Sequence, residues 1–355
     1  MIYYLTTRGF DHTLFNHLAF RGRDLRPHVR RLHYDTLFRA RRTPAGAYIF
    51  SDLERLSVEQ TEAAGRVAER LQASPGVRVL NHPKRSMRRY ELLRMLAVRG
   101  INHFNVYRLS ELREPERYPV FLRRHDDHSG TAGELLYDRE ALTKAIERLE
   151  ASGIFRDQWI ICEFCDTADA RGVYRKYSAF NLGGRIVPRH LFFARDWMLK
   201  APTLMEPGLL EEERRYVAGN PHEVRLREIF RLARIDYGRI DYALFDGCIQ
   251  VWEINTNPMI TTARDGGGPE RWPVHEQFSR DFASALLSLD QPGGGPAVAL
   301  SAPEGFPYRC KRLLKSGWRW FMRASWLSYT RRGHEWERRP LNRLSRLWRR
   351  GISRR

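Results

Sequence analysis

Three oxygen-bearing side chains in GRIDYALFDGCIQVWEINTNPMITT, residues 238–262, are spaced for metal chemistry. Asp241 opens a strand-like run at 240–245, and Glu253 and Asn255 stand at the end of a second run at 249–254. Residues two apart on a strand share a face, so Glu253 and Asn255 project together. Asp246-Gly247 suits the positive φ angles of a tight hairpin turn, which brings Asp241 alongside that pair. Two carboxylates and an amide are hard oxygen donors; they suit Mg²⁺, or Mn²⁺ in its place, with substrate phosphates completing the coordination. Pro258 and Thr261-Thr262 follow as a loop at the same end, placed for a substrate contact.

Other candidate ligands carry less. Cys162 and Cys165 have redox or zinc spacing, but no second pair follows, and their apolar run at 159–165 reads as a buried strand. His125 and His128 with Asp126 and Asp127 read as a solvated loop. Four cysteines in 355 residues make no disulfide framework and fit a reducing compartment.

The elements that must position the triad alternate between strand and helix. Short apolar runs at 2–6, 47–50 and 77–80 read as strands; 58–71 and 89–98 carry apolar residues at helical spacing. That alternation predicts an N-terminal α/β domain with a largely parallel sheet over residues 1–115. A second unit over 116–170 holds a strand at 119–122, a polar turn at 126–133, a helix at 138–151 and a strand at 159–164. Residues 171–290 then supply a hairpin at 173–181 and 185–193 about Gly183-Gly184, two helices at 209–218 and 222–233, and the acidic hairpin. The overall class is α/β (α+β). Residues 291–307 read as a Gly/Pro linker.

The acidic hairpin resembles the metal-binding core of the ATP-grasp superfamily, which includes D-alanine–D-alanine ligase and glutathione synthetase. The resemblance rests on Asp241, Asp246-Gly247, Glu253-Ile254-Asn255 and Pro258, with Arg239 two residues before the Asp, and covers roughly residues 80–287. It implies a two-subdomain grasp fold holding ATP and Mg²⁺, with Asp241, Glu253 and Asn255 as metal ligands and Arg239 catalytic over the transferred γ-phosphate. It places Arg123 where the family has a phosphate-binding Lys, and Ser129 and Gly130, with Gly133, in the loop over the phosphates. A guanidinium fork here replaces a point charge, and the loop is poor in glycine. Glu163 falls at the adenine-contacting strand end. Arg175, with Lys176 as alternative, falls on the central hairpin, and Arg189 on its return strand is a phosphate or substrate candidate.

The net charge of +19 is unevenly placed. Residues 309–355 hold 16 Lys or Arg against 2 acids, leaving 45 against 40 in the rest. Residues 308–355 form a basic tail, read as helical, with five of the nine tryptophans. Basic helices with Trp and Leu on one face suit an anionic membrane surface; nucleic-acid binding is a weaker alternative, and a helical annex on the body the plain one. No signal peptide or membrane span is evident, so the expected place is the cytoplasm, peripheral at the inner membrane face if the tail docks there.

The function implied is an ATP-dependent ligase that joins a small-molecule or polymer-precursor carboxylate to an amine through an acylphosphate. The alternatives are a catalytically silent membrane-associated scaffold and a phosphotransferase to a hydroxyl.

Overall fold

The computed structural model describes residues 1–111, 113–125, 134–153, 155–261, 268–290 and 295–300. The chain divides into two units, Met1–Pro303 and Glu304–Arg355. The second unit lies outside the described residues, as do Ser129, Gly130, Gly133, His128, Thr262 and most of the linker.

The first unit opens with strand β1 (Ile2–Thr6), helix α1 (His12–Ala19), β2 (Val29–His33), α2 (Tyr34–Arg39), the two-residue β3 (Arg42–Thr43), β4 (Ala47–Phe50), α3 (Val58–Gln72) and β5 (Arg78–Leu80). The order β2-β1-β4-β5 makes a parallel sheet. All four residues of β4 are buried, as expected of a strand covered on both faces. Helix α3 starts at a reciprocal cap: Gln60 N–H donates to Ser57 Oγ, and Ser57 N–H to Gln60 Oε1.

Helix α4 (Arg89–Val98) leads to a smaller antiparallel sheet of β6 (Val106–Arg108), β7 (Val120–Arg124) and β8 (Trp159–Glu163), in the order β6-β8-β7. Helix α5 (Arg139–Ala151) covers it, burying Leu142 against Leu122, Trp159 and Ile161.

Strands β9 (Tyr174–Leu182) and β10 (Arg185–Ala194), helices α6 (Pro207–Gly219) and α7 (Glu223–Ala233), then β11 (Tyr237–Phe245) and β12 (Cys248–Asn255) build an antiparallel sheet of order β10-β9-β11-β12. Helix α8 (Trp272–Leu287) and a short β13 (Val298–Ala299), paired with β3, close the described unit.

The alternation along β9 and β11 explains where the site falls. One face carries Tyr177, Ala179, Ile240 and Tyr242 into a core shared with α4, α6 and α7. The other face begins apolar, with Phe180, Leu182 and Tyr237 packed against Phe278 and Phe282 of α8. It then turns polar: Lys176 and Ser178 on β9, Arg239 and Asp241 on β11. A surface whose composition changes partway along is packed where it is apolar and left for a ligand where it is charged.

His17 of α1 joins that apolar end. It is fully buried, Nδ1 lies 2.7 Å from Thr261 Oγ1, and the ring meets Phe282 edge-on. Burial, then the nearby Arg189 and Arg21, pushes the imidazole down to about 4 from 6.5. A depressed folded-state value means the unfolded chain takes up the proton first. The contribution is therefore complete above about 6.5 and lost as pH falls towards about 4, at roughly 1.4 kcal/mol per pH unit. Urea unfolding at pH 7 and pH 4.5 should show the wild type losing about 2 kcal/mol more than His17→Gln; equal losses would contradict this burial.

Candidate active site

The β11–β12 register assembles the acidic hairpin. Asp241 lies opposite Glu253 and Arg239 opposite Asn255, so all four share the polar face. The register then shifts: Tyr242 pairs with Val251, and Trp252 is the extra residue of a bulge. Asn102 clamps the strand beside it, its amide accepting from Val251 N–H (2.9 Å) and donating to Val251 C=O (3.1 Å). Strand β11 begins at Tyr237, so Asp241 sits inside the strand rather than at its start. Its near end is tied to the parallel sheet by Asn81, whose side chain accepts from Tyr237 N–H (2.9 Å) and donates to Phe50 C=O (3.2 Å). Beyond β12, Asn257 accepts hydroxyls from Tyr4 and Thr13 and gives its own N–H to Asn255 Oδ1 at 2.8 Å.

Two carboxylates facing each other across a strand pair repel unless cations intervene. Here they do. Arg239 forks onto Asp241 (2.9 and 3.2 Å), and Ser178 Oγ donates to the same carboxylate at 2.9 Å. Glu253 receives Arg123 at 2.9 Å and Arg89 at 2.5 Å. Arg89, the first residue of α4, is 5% exposed and was not among the residues the sequence singled out. Nothing in its local sequence distinguishes it from the neighbouring Arg88; only the packing of α4 against β12 does.

Lys176 and Arg175 separate as strand alternation requires. Arg175 turns to the α6 side, held by Glu212 (2.7 and 3.2 Å) and Asp169 (2.9 Å), which push its guanidinium up. Lys176 lies on the Asp241 face; burial lowers it, while Asp241 and Glu253 act in the opposite sense. Both residues nevertheless line the main cavity. Glu163 is committed elsewhere. Its buried carboxylate accepts from Tyr107 O–H (2.8 Å), Asn105 N–H (2.9 Å) and the Arg117 guanidinium (3.0 Å), and it does not line the cavity. Arg189 lies in a neighbouring cavity, donating to Ile260 C=O at 2.8 Å.

The main cavity, about 390 Å³, is lined by Arg123, Lys176, Arg239, Asp241, Glu253 and Asn255, together with an aromatic wall. Trp197, from the loop after β10, packs on Phe121 and Phe164 with ring centroids 5.1 and 5.6 Å apart. The volume is within the range of small-molecule sites, and an aromatic wall beside clustered cations suits a heterocycle with attached phosphates. Sequence reasoning missed Trp197, which stands in no regular element.

Among the described residues no three His, Cys, Asp or Glu side chains converge as a metal site. The triad holds two carboxylates and an amide, the sparse oxygen set of a magnesium ion that shares its coordination with phosphates. Four cations surround those two carboxylates, so an ion would enter favourably only with a polyanion. Arg123 Nε is buried with no hydrogen-bond partner among the described residues, a donor suited to such an oxygen. The donor set therefore fits Mg²⁺ accompanied by a nucleotide.

No protein-family model matches the chain, and no curated protein matches it. Among solved structures, it is similar to D-alanine–D-alanine ligase from Bacillus anthracis, at 14% identity and TM-score 0.44 over 81% of this chain and 97% of that one. It is similar to a D-cycloserine synthetase at 16% identity and TM-score 0.45, over 81% of this chain and 100% of the other. It is also similar to a RimK-domain ATP-grasp protein from Sphaerobacter thermophilus, at 14% identity and TM-score 0.39, over 81% and 100%.

Proposed function

We propose that the chain is an ATP-dependent, Mg²⁺-requiring ligase that activates a carboxylate as an acylphosphate and passes it to an amine. The observation that carries this reading is the shared face of Arg239, Asp241, Glu253 and Asn255, set across one strand pair above a cavity with an aromatic wall.

Asp241, Glu253 and Asn255 would hold the metal, which when bound would supply positive charge to phosphate oxygens. Arg123 and Lys176 bind phosphate oxygens, and Arg239 faces the phosphoryl group in transfer. A carboxylate oxygen attacks the γ-phosphorus and ADP departs; the amine then attacks the acyl carbon, phosphate departs, and the amine nitrogen loses its proton to solvent. No enzyme nucleophile is needed, and positioning plus fixed charge does the catalysis. Trp197, Phe121 and Phe164 provide the apolar seat for the base.

Hydroxylamine separates this reading from its competitors. With ATP, Mg²⁺ and a panel of carboxylates, a ligase yields a hydroxamate for the acid it accepts. ADP release without hydroxamate, from a hydroxyl acceptor, would indicate phosphoryl transfer instead. Absence of both across the panel, in a chain that still binds nucleotide, would favour the silent scaffold.

A further inference from the structure

The two ends of the parallel sheet differ in character. At the carboxyl ends of its strands it meets the acidic hairpin: after β4, Leu53 N–H donates to Thr256 Oγ1 at 3.0 Å, and after β5 the Asn81 amide donates to Tyr237 C=O at 2.6 Å. The amino ends therefore face away from the site. Backbone bonds fix what lies there. Ile2 N–H donates to His28 C=O (2.8 Å), Ala47 N–H to Met1 C=O (3.0 Å) and Arg78 N–H to Gly46 C=O (3.1 Å).

That amino end is basic. Residues 20–42 hold eight arginines against two aspartates, with no lysine. Arg23, Arg26, Arg41 and Arg42 are exposed. Arg23 donates to Ala19 C=O and Arg26 to Leu18 C=O, as basic groups do at helix carboxyl ends. Those bonds hold both guanidinium groups beside the end of α1, which Phe20 caps with its ring 48% exposed.

Exposed arginines alone read as a solvated face. A second observation sets this face apart. Strand β13 pairs with β3 through Val298 opposite Thr43 and Ala299 opposite Arg42, and Leu300 N–H donates to Arg41 C=O at 2.8 Å. The chain thus leaves the described residues beside Arg41 and Arg42. The sequence that follows carries 16 Lys or Arg against 2 acids at 309–355, with five tryptophans.

We propose that the amino-end face of the parallel sheet is a docking surface for an anionic lipid bilayer. Phe20 enters the headgroup boundary, and Arg23, Arg41 and Arg42 meet lipid phosphates. The described face offers a single ring, not the row of rings on which successive bases stack, so lipid suits it better than nucleic acid. Docked this way, the body keeps its acidic hairpin on the side away from the bilayer. The proposal does not rest on the catalytic reading.

Flotation of the full chain with vesicles tests it, using phosphatidylcholine alone or with about 30% phosphatidylglycerol, at about 0.15 M salt. The wild type should float with the anionic vesicles only. Arg41→Gln/Arg42→Gln should lower the partition coefficient about tenfold, and Phe20→Ser several-fold with no change in charge. Arg225→Gln/Arg231→Gln removes the same charge from exposed positions of α7 and should change it by less than about twofold. Undiminished flotation in both face variants would mean that the tail binds alone and would overturn the proposal. An equal loss in the α7 variant, or flotation with neutral lipid, overturns it as well. So does a failure to float with anionic vesicles; if a single-stranded oligonucleotide then binds through the same residues, the face belongs to nucleic acid.

Discussion

Glu253→Ala is expected to lower folding stability by about 3–5 kcal/mol even without nucleotide, besides abolishing turnover. The reason is the company this carboxylate keeps. Arg89 and Arg123 both donate to it, and neither guanidinium has water enough to replace it: Arg89 is 4% exposed at the side chain and Arg123 13%. Burial already lowers Arg123, with Arg89 as the next cause and Glu253 acting against both. Removing the acid leaves two like charges side by side. Glu253→Gln keeps an acceptor in the same volume and should fall well short of that loss, while still removing a metal-ligand charge. Pairing Glu253→Ala with Arg123→Met should recover part of the stability, since the double variant buries one fewer orphaned cation. Urea unfolding of the wild type, Glu253→Ala, Glu253→Gln, Arg123→Met and the double variant measures this, and additive losses in the double variant would show that the contact carries little energy.

The second large effect lies away from the main cavity. Arg271 and Glu213 are 2% and 1% exposed and joined by two bonds of 2.6 and 2.8 Å, and Glu213 also accepts Leu191 N–H at 3.1 Å. The pair anchors the start of α8 to α6 and β10, and Arg271 lines the neighbouring cavity of about 180 Å³. Glu213→Ala should cost about 3–5 kcal/mol, because it strands a buried guanidinium and an edge amide together. Exchanging both partners for apolar residues of similar volume should cost much less, or nothing. Thermal and urea melts of the single and double variants decide it; a mild single-variant loss would mean that solvent reaches Arg271.

The acidic hairpin was legible in the sequence because strand alternation and the Asp-Gly turn are local properties, and Asp241, Glu253 and Asn255 meet as those rules require. The same is true of α4, expected at 89–98 and found as Arg89–Val98. Helix α8 was not foreseen: its apolar face, Phe278, Phe282 and Leu286, gains meaning only from the Phe180 face it covers. Helices α1 and α2 and strand β2 are short and interrupted by polar or charged residues, so no run of apolar spacing marks them. In the site, Arg175 and Lys176 both line the cavity, and one residue of strand phase sets which of them stands beside Asp241. Glu163 illustrates a different limit. Its position at the strand end matched expectation, but its carboxylate is spent on Tyr107, Asn105 and Arg117, partners that sequence spacing does not reveal. The buried Arg89 and the loop residue Trp197 belong to the same class, since tertiary packing alone selects them.

The most direct test of the account is the melting temperature with Mg-ADP, with ADP and EDTA, and with neither, for the wild type and Glu253→Gln. A ligand present at about 100 times its dissociation constant adds roughly 2.7 kcal/mol to a two-state protein, enough for a clear shift. A rise is expected in the wild type that needs Mg²⁺ and shrinks in Glu253→Gln. No rise at millimolar nucleotide, or a rise indifferent to both Mg²⁺ and Glu253, would contradict it.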